Sequence, residues 1–258
     1  MRELSSELDA PRVSQPPRQD RVVTVPTEVP MNDNHPAAIN RLGTAHRLET
    51  LRSTGILDKH YGTVVDIGGY DGAICSRISA DEHIVVEPFP PAVSLRATGV
   101  RFFTANGAAT ALPAGSADLV LLMDVLEHVE EPAELVREAV RLLKPGGVGV
   151  ITVPSSKIRI FPWFLQNWAD RRWDHTLRRG YRPQHILPLL EYNGAEASRT
   201  LDMGCAGFRM LYLPLSIGWR IWRGAAKVAL SAISRVDYRF RSVGAGRGYV
   251  FIEFRRSA

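Results

Sequence analysis

A chain of 258 residues, 45% hydrophobic and 23% charged, can bury a sizeable core without staples and suits one α/β domain with extensions. Its two cysteines, Cys75 and Cys205, stand far apart and in no metal-like spacing, which argues against a disulfide framework and for a reducing compartment. No apolar run approaches the roughly 18 residues of a transmembrane helix, and no apolar core follows the N-terminal charges as in a signal peptide. The expected location is therefore cytoplasmic.

The net charge of +5 is unevenly spread. Between Ala37 and Val153, ten Lys/Arg face fourteen Asp/Glu; between Met203 and Arg247, eight Lys/Arg face one acid, Asp237. That asymmetry fits an anionic surface or substrate meeting the C-terminal part, and a solvated basic face fits it equally.

In chain order, residues 1–35 are rich in Pro, Arg and short polar residues without periodicity and read as a disordered tail. Met31, near its end, is an alternative start. From Pro36 to 258 the pattern is that of a folded domain. Ala37 to Thr54 is helix-compatible, with Ile39, Leu42, Leu48 and Leu51 as apolar positions and Gly55 as the stop. Strands are predicted over Thr63–Ile67, His83–Glu87, Arg101–Thr104, Asp118–Met123 and Val148–Val153. Helices are predicted over Gly72–Ser79 and Pro132–Leu143. In the second, Pro132 suits the first turn, Glu130, Glu131 and Glu134 lie at the positive end, and Lys144-Pro145-Gly146-Gly147 ends it. A further helix over Arg182–Tyr192 and strands over Ala195–Leu201 and Gly248–Phe254 follow. Alternating strands and helices predict a doubly wound, mostly parallel sheet with helices on both faces.

Val64-Val65-Asp66-Ile67-Gly68-Gly69-Tyr70-Asp71-Gly72 reads as a strand entering a glycine-rich turn and then a helix. Glycines permit a tight turn and close backbone approach to a ligand, and a helix N-terminus favours an anionic group. An ordinary tight turn has the same look. Glu87 ends the next strand about 20 residues on, where an acid can accept hydrogen bonds from ribose hydroxyls. A dehydrogenase offers both features, so the discriminator lies further along. Ala111-Leu112-Pro113, Ser116-Ala117-Asp118-Leu119-Val120, Asp124-Val125-Leu126-Glu127-His128-Val129 and Arg141-Leu142-Leu143-Lys144-Pro145-Gly146-Gly147 follow in order. From about Val64 to Pro154 the chain resembles the class I S-adenosylmethionine-dependent methyltransferases, in detail the branch of the ubiquinone- and menaquinone-biosynthesis enzymes.

The resemblance implies a seven-stranded Rossmann-like sheet with an antiparallel last strand, and S-adenosyl-L-methionine as cofactor. It places Asp66, Gly68, Gly69, Tyr70 and Gly72 in the cofactor loop, where the helix N-terminus would meet the methionyl carboxylate. Glu87 becomes the ribose ligand, and the adenine falls near Asn106, Gly107 and Ala108. Asp124 faces the reactive end. Two departures stand out. Tyr70 replaces the middle glycine of the family's Gly-x-Gly-x-Gly pattern, where its ring would crowd the methionine portion or pack over it. Asn106 stands where the family usually has an acid. Both leave room for a non-catalytic binding protein that keeps the fold.

Methyl transfer from a sulfonium needs an aligned nucleophile and exclusion of water. A hydroxyl acceptor usually also needs a base, whereas an amine or stabilised carbanion does not. His128, just after the fourth strand, is the candidate base; the alternative is that Glu127 and His128 only begin a helix and orient the loop. Glu127, His128 and Glu131 could ligate a metal, but the helix dipole explains their clustering more simply, and no metal is expected. His175 and His185 read as surface or packing residues. The expected acceptor is a small molecule methylated on oxygen, glycosylated, quinone-like or lipid-linked; N- or C-transfer is the alternative.

Two segments are variable. Residues 155–182 carry Trp163, Phe164, Trp168, Trp173 and Tyr181 among arginines and read as a substrate lid or as a packed insertion. Residues 203–247 form a basic, apolar insertion. Within it, a helix over 208–233 would present Leu215, Trp219, Trp222 and Ala226 together, interrupted at Pro214 and Gly218. Trp with Arg and Lys there fits peripheral contact with an anionic membrane, and a dimer interface or domain cap fits as well. No nucleic-acid recognition motif is present.

Overall fold

The structure, a computed structural model, describes residues 41–172, 180–203, 206–240 and 248–257. The tail reading of 1–35, Met31, Trp173, His175 and Cys205 lie outside the described residues.

Seven strands form one sheet: β1 (His60–Ile67), β2 (Ser79–Val86), β3 (Arg101–Phe103), β4 (Ala117–Met123), β5 (Leu143–Pro154), β6 (Ala195–Met203) and β7 (Tyr249–Arg256). Their spatial order is β3-β2-β1-β4-β5-β7-β6. The first five pair in parallel, and β7 runs antiparallel between β5 and β6. The antiparallel last strand is therefore inside the sheet, with β6 at the edge. Successive residues of a strand point to opposite faces, so a sheet covered on both sides needs apolar residues at every position. Val64 and Val65, Leu119 and Val120, Leu121 and Leu122 meet that need, each pair split between two separate core clusters.

One cluster packs beneath α2 (Pro132–Leu142) and α4 (Pro183–Tyr192), through Leu135, Val136, Ala139, Ile186 and Leu190. The other lies beneath α1 (Leu42–Ser53), α5 (Ala206–Met210), α6 (Tyr212–Ile221) and α7 (Arg223–Arg239), through Leu51, Phe208, Leu215, Trp219 and Leu230. A short α3 (Gln166–Arg172) follows β5.

Three predicted elements differ. The helix expected over Gly72–Ser79 is only a 3₁₀ turn, Cys75–Arg77, because β2 starts already at Ser79 to pair with His60 of β1. Lys144–Gly147, expected to end a helix, belongs to β5: Leu143 pairs with Ala117, and the register shifts between Ala117 and Leu119. The Arg256 guanidinium holds this start by donating to the carbonyls of Arg141 and Leu143. In 206–240 the breaks fall at Leu211 and Trp222 rather than at Pro214 and Gly218. Pro214 sits in the first turn of α6, where a missing N–H breaks no helical bond. The kink also turns Trp222 outward while Leu215, Trp219 and Ala226 are buried against the sheet, so the four do not form the one presented face expected of them.

Candidate active site

The site is built at the C-terminal edge of β1, β2 and β4, where ligands bind in open α/β sheets. Gly68 leaves β1 with its N–H on the Val86 carbonyl and a φ of +76°. A methyl group there would meet Val125 at 2.6 Å, and one on Gly69 would meet the Asp66 carboxylate at 2.6 Å. Gly68 thus lets the turn pack against Val125, and Gly69 keeps the turn bare above Asp66. That carboxylate is buried, and neither oxygen has a hydrogen-bond partner. Burial pushes its pKa up to about 7; Glu87 and Asp71 add to the rise, and Arg47 opposes it.

Tyr70 adopts a φ of +49°, unusual for a side-chain-bearing residue. Its N–H donates to Glu87 Oε2 at 3.2 Å, and Phe89 N–H donates to Glu87 Oε1 at 3.3 Å. The carboxylate predicted to meet a ribose is thus pinned beside the turn. The Tyr70 ring lies beneath the Arg41 guanidinium, 4.8 Å from its centroid. Arg41 also reaches Asp71 at 3.3 Å, while its Nε is buried without a hydrogen-bond partner.

Gly72 has a φ of +73° and is followed by the 3₁₀ turn. The helix N-terminus expected there to receive an anion is absent, since one such turn aligns too few peptide dipoles. Arg41 is the cation nearest the turn among the described contacts.

Asn106 is exposed, and its Oδ1 accepts the Ala108 N–H at 3.0 Å, closing a side-chain-to-backbone turn. Gly107 is buried: a methyl group there would come within 2.6 Å of Ile67 and 2.8 Å of Leu135. The predicted adenine turn is thereby held against the end of β1.

Asp124, φ +55°, accepts the Thr152 hydroxyl at 2.9 Å and Arg47 Nε at 2.7 Å. A narrow cleft beside this pair is lined by His46, Arg47, Thr50, Asp124, Thr152 and Tyr249. His46 stacks on Phe208 with ring centroids 3.9 Å apart, and burial lowers its pKa to about 4, so it is neutral near pH 7. Glu127 is fully buried, with both oxygens lacking hydrogen-bond partners. Burial, reinforced by the charge of Asp124, raises its pKa well above the usual carboxylate range. Its Oε1 lies 3.8 Å from Nε2 of His128, which is partly exposed at the rim. Leu126–His128 form a 3₁₀ turn separate from α2. Among the described residues no group of three or more His, Cys, Asp and Glu is placed to hold a metal ion. His185 serves α4: its Nδ1 accepts the Arg182 N–H at 3.3 Å.

Arg41, His46, Arg47 and Thr152 escaped the sequence reading. The signal for the helical pair was the polar run Gly43, His46, Arg47 and Thr50 at i, i+3, i+4 and i+7, one face of α1.

The family described as a methyltransferase domain matches residues 37–197, which hold every element from α1 through the start of β6 and every residue of the turn, the ribose acid and the rim. The chain belongs to this methyltransferase family. An uncharacterized methyltransferase of Mycobacterium sp. (strain JLS) is 35% identical over 98 residues, 35% of this chain and 38% of that protein. The chain thus matches well under half the length of that relative. A ubiquinone biosynthesis O-methyltransferase of Caulobacter vibrioides is 54% identical over 35 residues, 14% of each chain, a narrow base for the ubiquinone branch. Among solved structures, phosphoethanolamine N-methyltransferase 2 of Haemonchus contortus, in complex with phosphomonomethylethanolamine and S-adenosylhomocysteine, superposes with a TM-score of 0.56. It is 16% identical, with 80% of this chain and 52% of that one covered; at that identity it bears on the fold.

The cofactor of this family, S-adenosyl-L-methionine, carries two cationic groups, a carboxylate, a ribose diol and an adenine. The residues present fit it: an unpartnered buried carboxylate at Asp66, a pinned carboxylate at Glu87, a guanidinium with an unpartnered Nε at Arg41, and a glycine turn that any side chain would fill.

Proposed function

We propose that this chain is an S-adenosyl-L-methionine-dependent methyltransferase that methylates an oxygen of a small-molecule acceptor. The observation that carries the reading is Asp66: a buried carboxylate with no hydrogen bond, directly beneath a bare glycine turn. Such a group is costly unless a cationic partner arrives. When bound, the cofactor supplies an electrophilic methyl group on sulfur.

Glu87 would hold the ribose hydroxyls, the turn at Asn106, Gly107 and Ala108 the adenine, and Arg41 the methionyl carboxylate. Gly68, Gly69, Tyr70 and Gly72 lend backbone to the methionine portion, and Asp124 forms the wall toward the acceptor. The acceptor would approach Asp124 from the mouth of the narrow cleft between α1 and the ends of β4, β5 and β7. Arg47 and Thr152 lock Asp124, and the neutral His46 on Phe208 closes the wall against water. His128 is the proposed base: it stands partly exposed at the rim just after β4 and carries the imidazole that proton transfer calls for. With a pKa of about 4, His46 is too weak a proton acceptor for that role.

The test has two stages. Calorimetric titration with S-adenosylmethionine and its demethylated product should show binding that is lost in Glu87→Ala. Transfer of labelled methyl to phenolic and lipid-linked acceptors should then fall sharply in His128→Gln. Label found only on protein or RNA would overturn the small-molecule reading. A second reading, a non-catalytic protein retaining the fold, draws on Tyr70 and on the missing helix after the turn; absence of cofactor binding would favour it.

A further inference from the structure

Helices α6 and α7 pack on each other and on α1, so their outer faces form one layer away from the sheet. That layer is unusually apolar for a surface. From the N-cap of α6 onward the exposed positions include Leu211, Pro214, Ile217 and Ile221, steps of three and four that make one stripe. On α7 and its C-cap they include Ala225, Val228, Ala232, Val236 and Phe240, again one stripe. Ile221 and Trp222, at the bend between the helices, are 77% and 76% exposed. Single exposed apolar residues are ordinary, whereas contiguous stripes mark a contact surface.

Charge selects the partner. Arg220, Arg223, Lys227, Arg235 and Arg239 are all exposed on these two helices. The lone acid of the described stretch 206–240, Asp237, is buried and spends its oxygens on the N–H groups of Gly207 and Phe208. The surface is thus apolar and cationic with no exposed carboxylate of its own. An apolar protein face would leave five cations unmatched, and an acidic one would leave the stripes against polar groups. A bilayer with anionic headgroups answers both, because long basic side chains reach the headgroups while apolar ones enter the acyl boundary.

A second feature extends the face. The Phe161 N–H donates to the Arg209 carbonyl, and Arg209 Nη1 donates to the Arg159 carbonyl. These bonds tie a loop with exposed Phe161, Trp163 (64%) and Phe164 (77%) to α5, just ahead of the α6 stripe. Tryptophan is the side chain most at home between water and lipid. Phe208 of α5 also stacks on His46 in the acceptor cleft, so the face and the cleft share an element.

We propose that the outer face of α6 and α7, together with the loop around Trp163, docks on an anionic phospholipid bilayer. The docking does not depend on the transfer reaction, and its test needs no cofactor. Flotation of the full chain with phosphatidylcholine vesicles, and with vesicles that also contain phosphatidylglycerol, should recover it with the anionic set only. Paired Arg235→Glu and Arg239→Glu should weaken partitioning by more than about 25-fold, since each cation near such a surface accounts for about fivefold, or 1 kcal/mol. Paired Ile221→Glu and Trp222→Glu should abolish it. All four positions are exposed, and unchanged thermal melting separates loss of docking from loss of fold. The proposal is overturned by failure to float with anionic vesicles, by equal recovery with both sets, or by variants that partition like the parent. A dimer in size-exclusion chromatography that dissociates with Ile221→Glu and Trp222→Glu, without vesicle binding, would assign the face to a second copy instead.

Discussion

Replacing Asp66 by Asn should stabilise the free chain and cripple it as a cofactor binder, and the size of both effects depends on pH. Burial raises the Asp66 pKa to about 7 from an ordinary 3.8. Between those values the folded chain holds a proton that the unfolded chain has released, so stability falls as pH rises through the window. The loss approaches roughly 4 kcal/mol at pH 8 and vanishes below about pH 4. An amide of the same shape carries no charge, so Asp66→Asn should be more stable than the parent at pH 8, by up to that amount, and nearly equal at pH 4. A cationic cofactor reverses the preference by favouring the ionised carboxylate. Binding at pH 7 should then release about half a proton in the parent, and less by that amount in the variant. Urea unfolding at two pH values reads the first effect. Calorimetric titration in buffers of different ionisation enthalpy reads the second. Equal proton release from parent and variant, or a variant less stable at pH 8, would refute the reasoning, because Asp66 would then already be satisfied in the free chain.

Glu87→Gln should weaken cofactor binding by tens-fold, the scale of a hydrogen bond to a charged group, while leaving the melting temperature near the parent's; titration and melting check both. Gly107→Ala drives a methyl group to 2.6 Å from Ile67 and 2.8 Å from Leu135, and should lower stability by about 1–3 kcal/mol in denaturant unfolding. Arg47→Met strips the cation from Asp124, Asp66 and Glu127. It should destabilise by about 3 kcal/mol, more at pH 8 than at pH 5, since Asp66, with a pKa of about 7, carries its charge at the higher pH and not at the lower. For a hydroxyl acceptor, His128→Gln should reduce kcat by roughly 10²–10⁴ with cofactor affinity unchanged, measured by initial rates and by titration.

Much of the sheet was legible because a doubly covered strand leaves a strong mark. The run Leu119–Met123 has no polar face to hide, Val64–Ile67 has only Asp66, and Pro132 with its preceding acids announces α2. Glu87 and the glycine turn were legible for the same local reason: their chemistry is carried by neighbours in the chain. The 3₁₀ turn after Gly72 was not, since what cut the helix short was the parallel pairing of Ser79 with His60, a partner nineteen positions away. Nor was the meeting of Arg47 with Asp124, separated by 77 positions. The composition of α1 shows a polar face, but only the packed fold says what that face meets. Trp222 failed differently: a helical projection is valid only while the helix continues, and the bend at that residue separated it from Leu215, Trp219 and Ala226, with which it was expected to share a face.

The place of β7 has a consequence for how this molecule is made. Among the described residues, edge strand β6 pairs with the sheet through β7 alone, yet β7 is the last strand in chain order, with α5, α6 and α7 translated in between. A nascent chain on the ribosome therefore carries an open flank on β5, and a β6 packed on α4 but without its sheet partner, until residues 249–256 emerge. Such bare flanks are templates for pairing with another copy. Nonsense codons or proteolytic nicks before Tyr249 should yield insoluble material rather than a smaller folded domain, and a fusion partner downstream will meet a fold that closes only at its final strand.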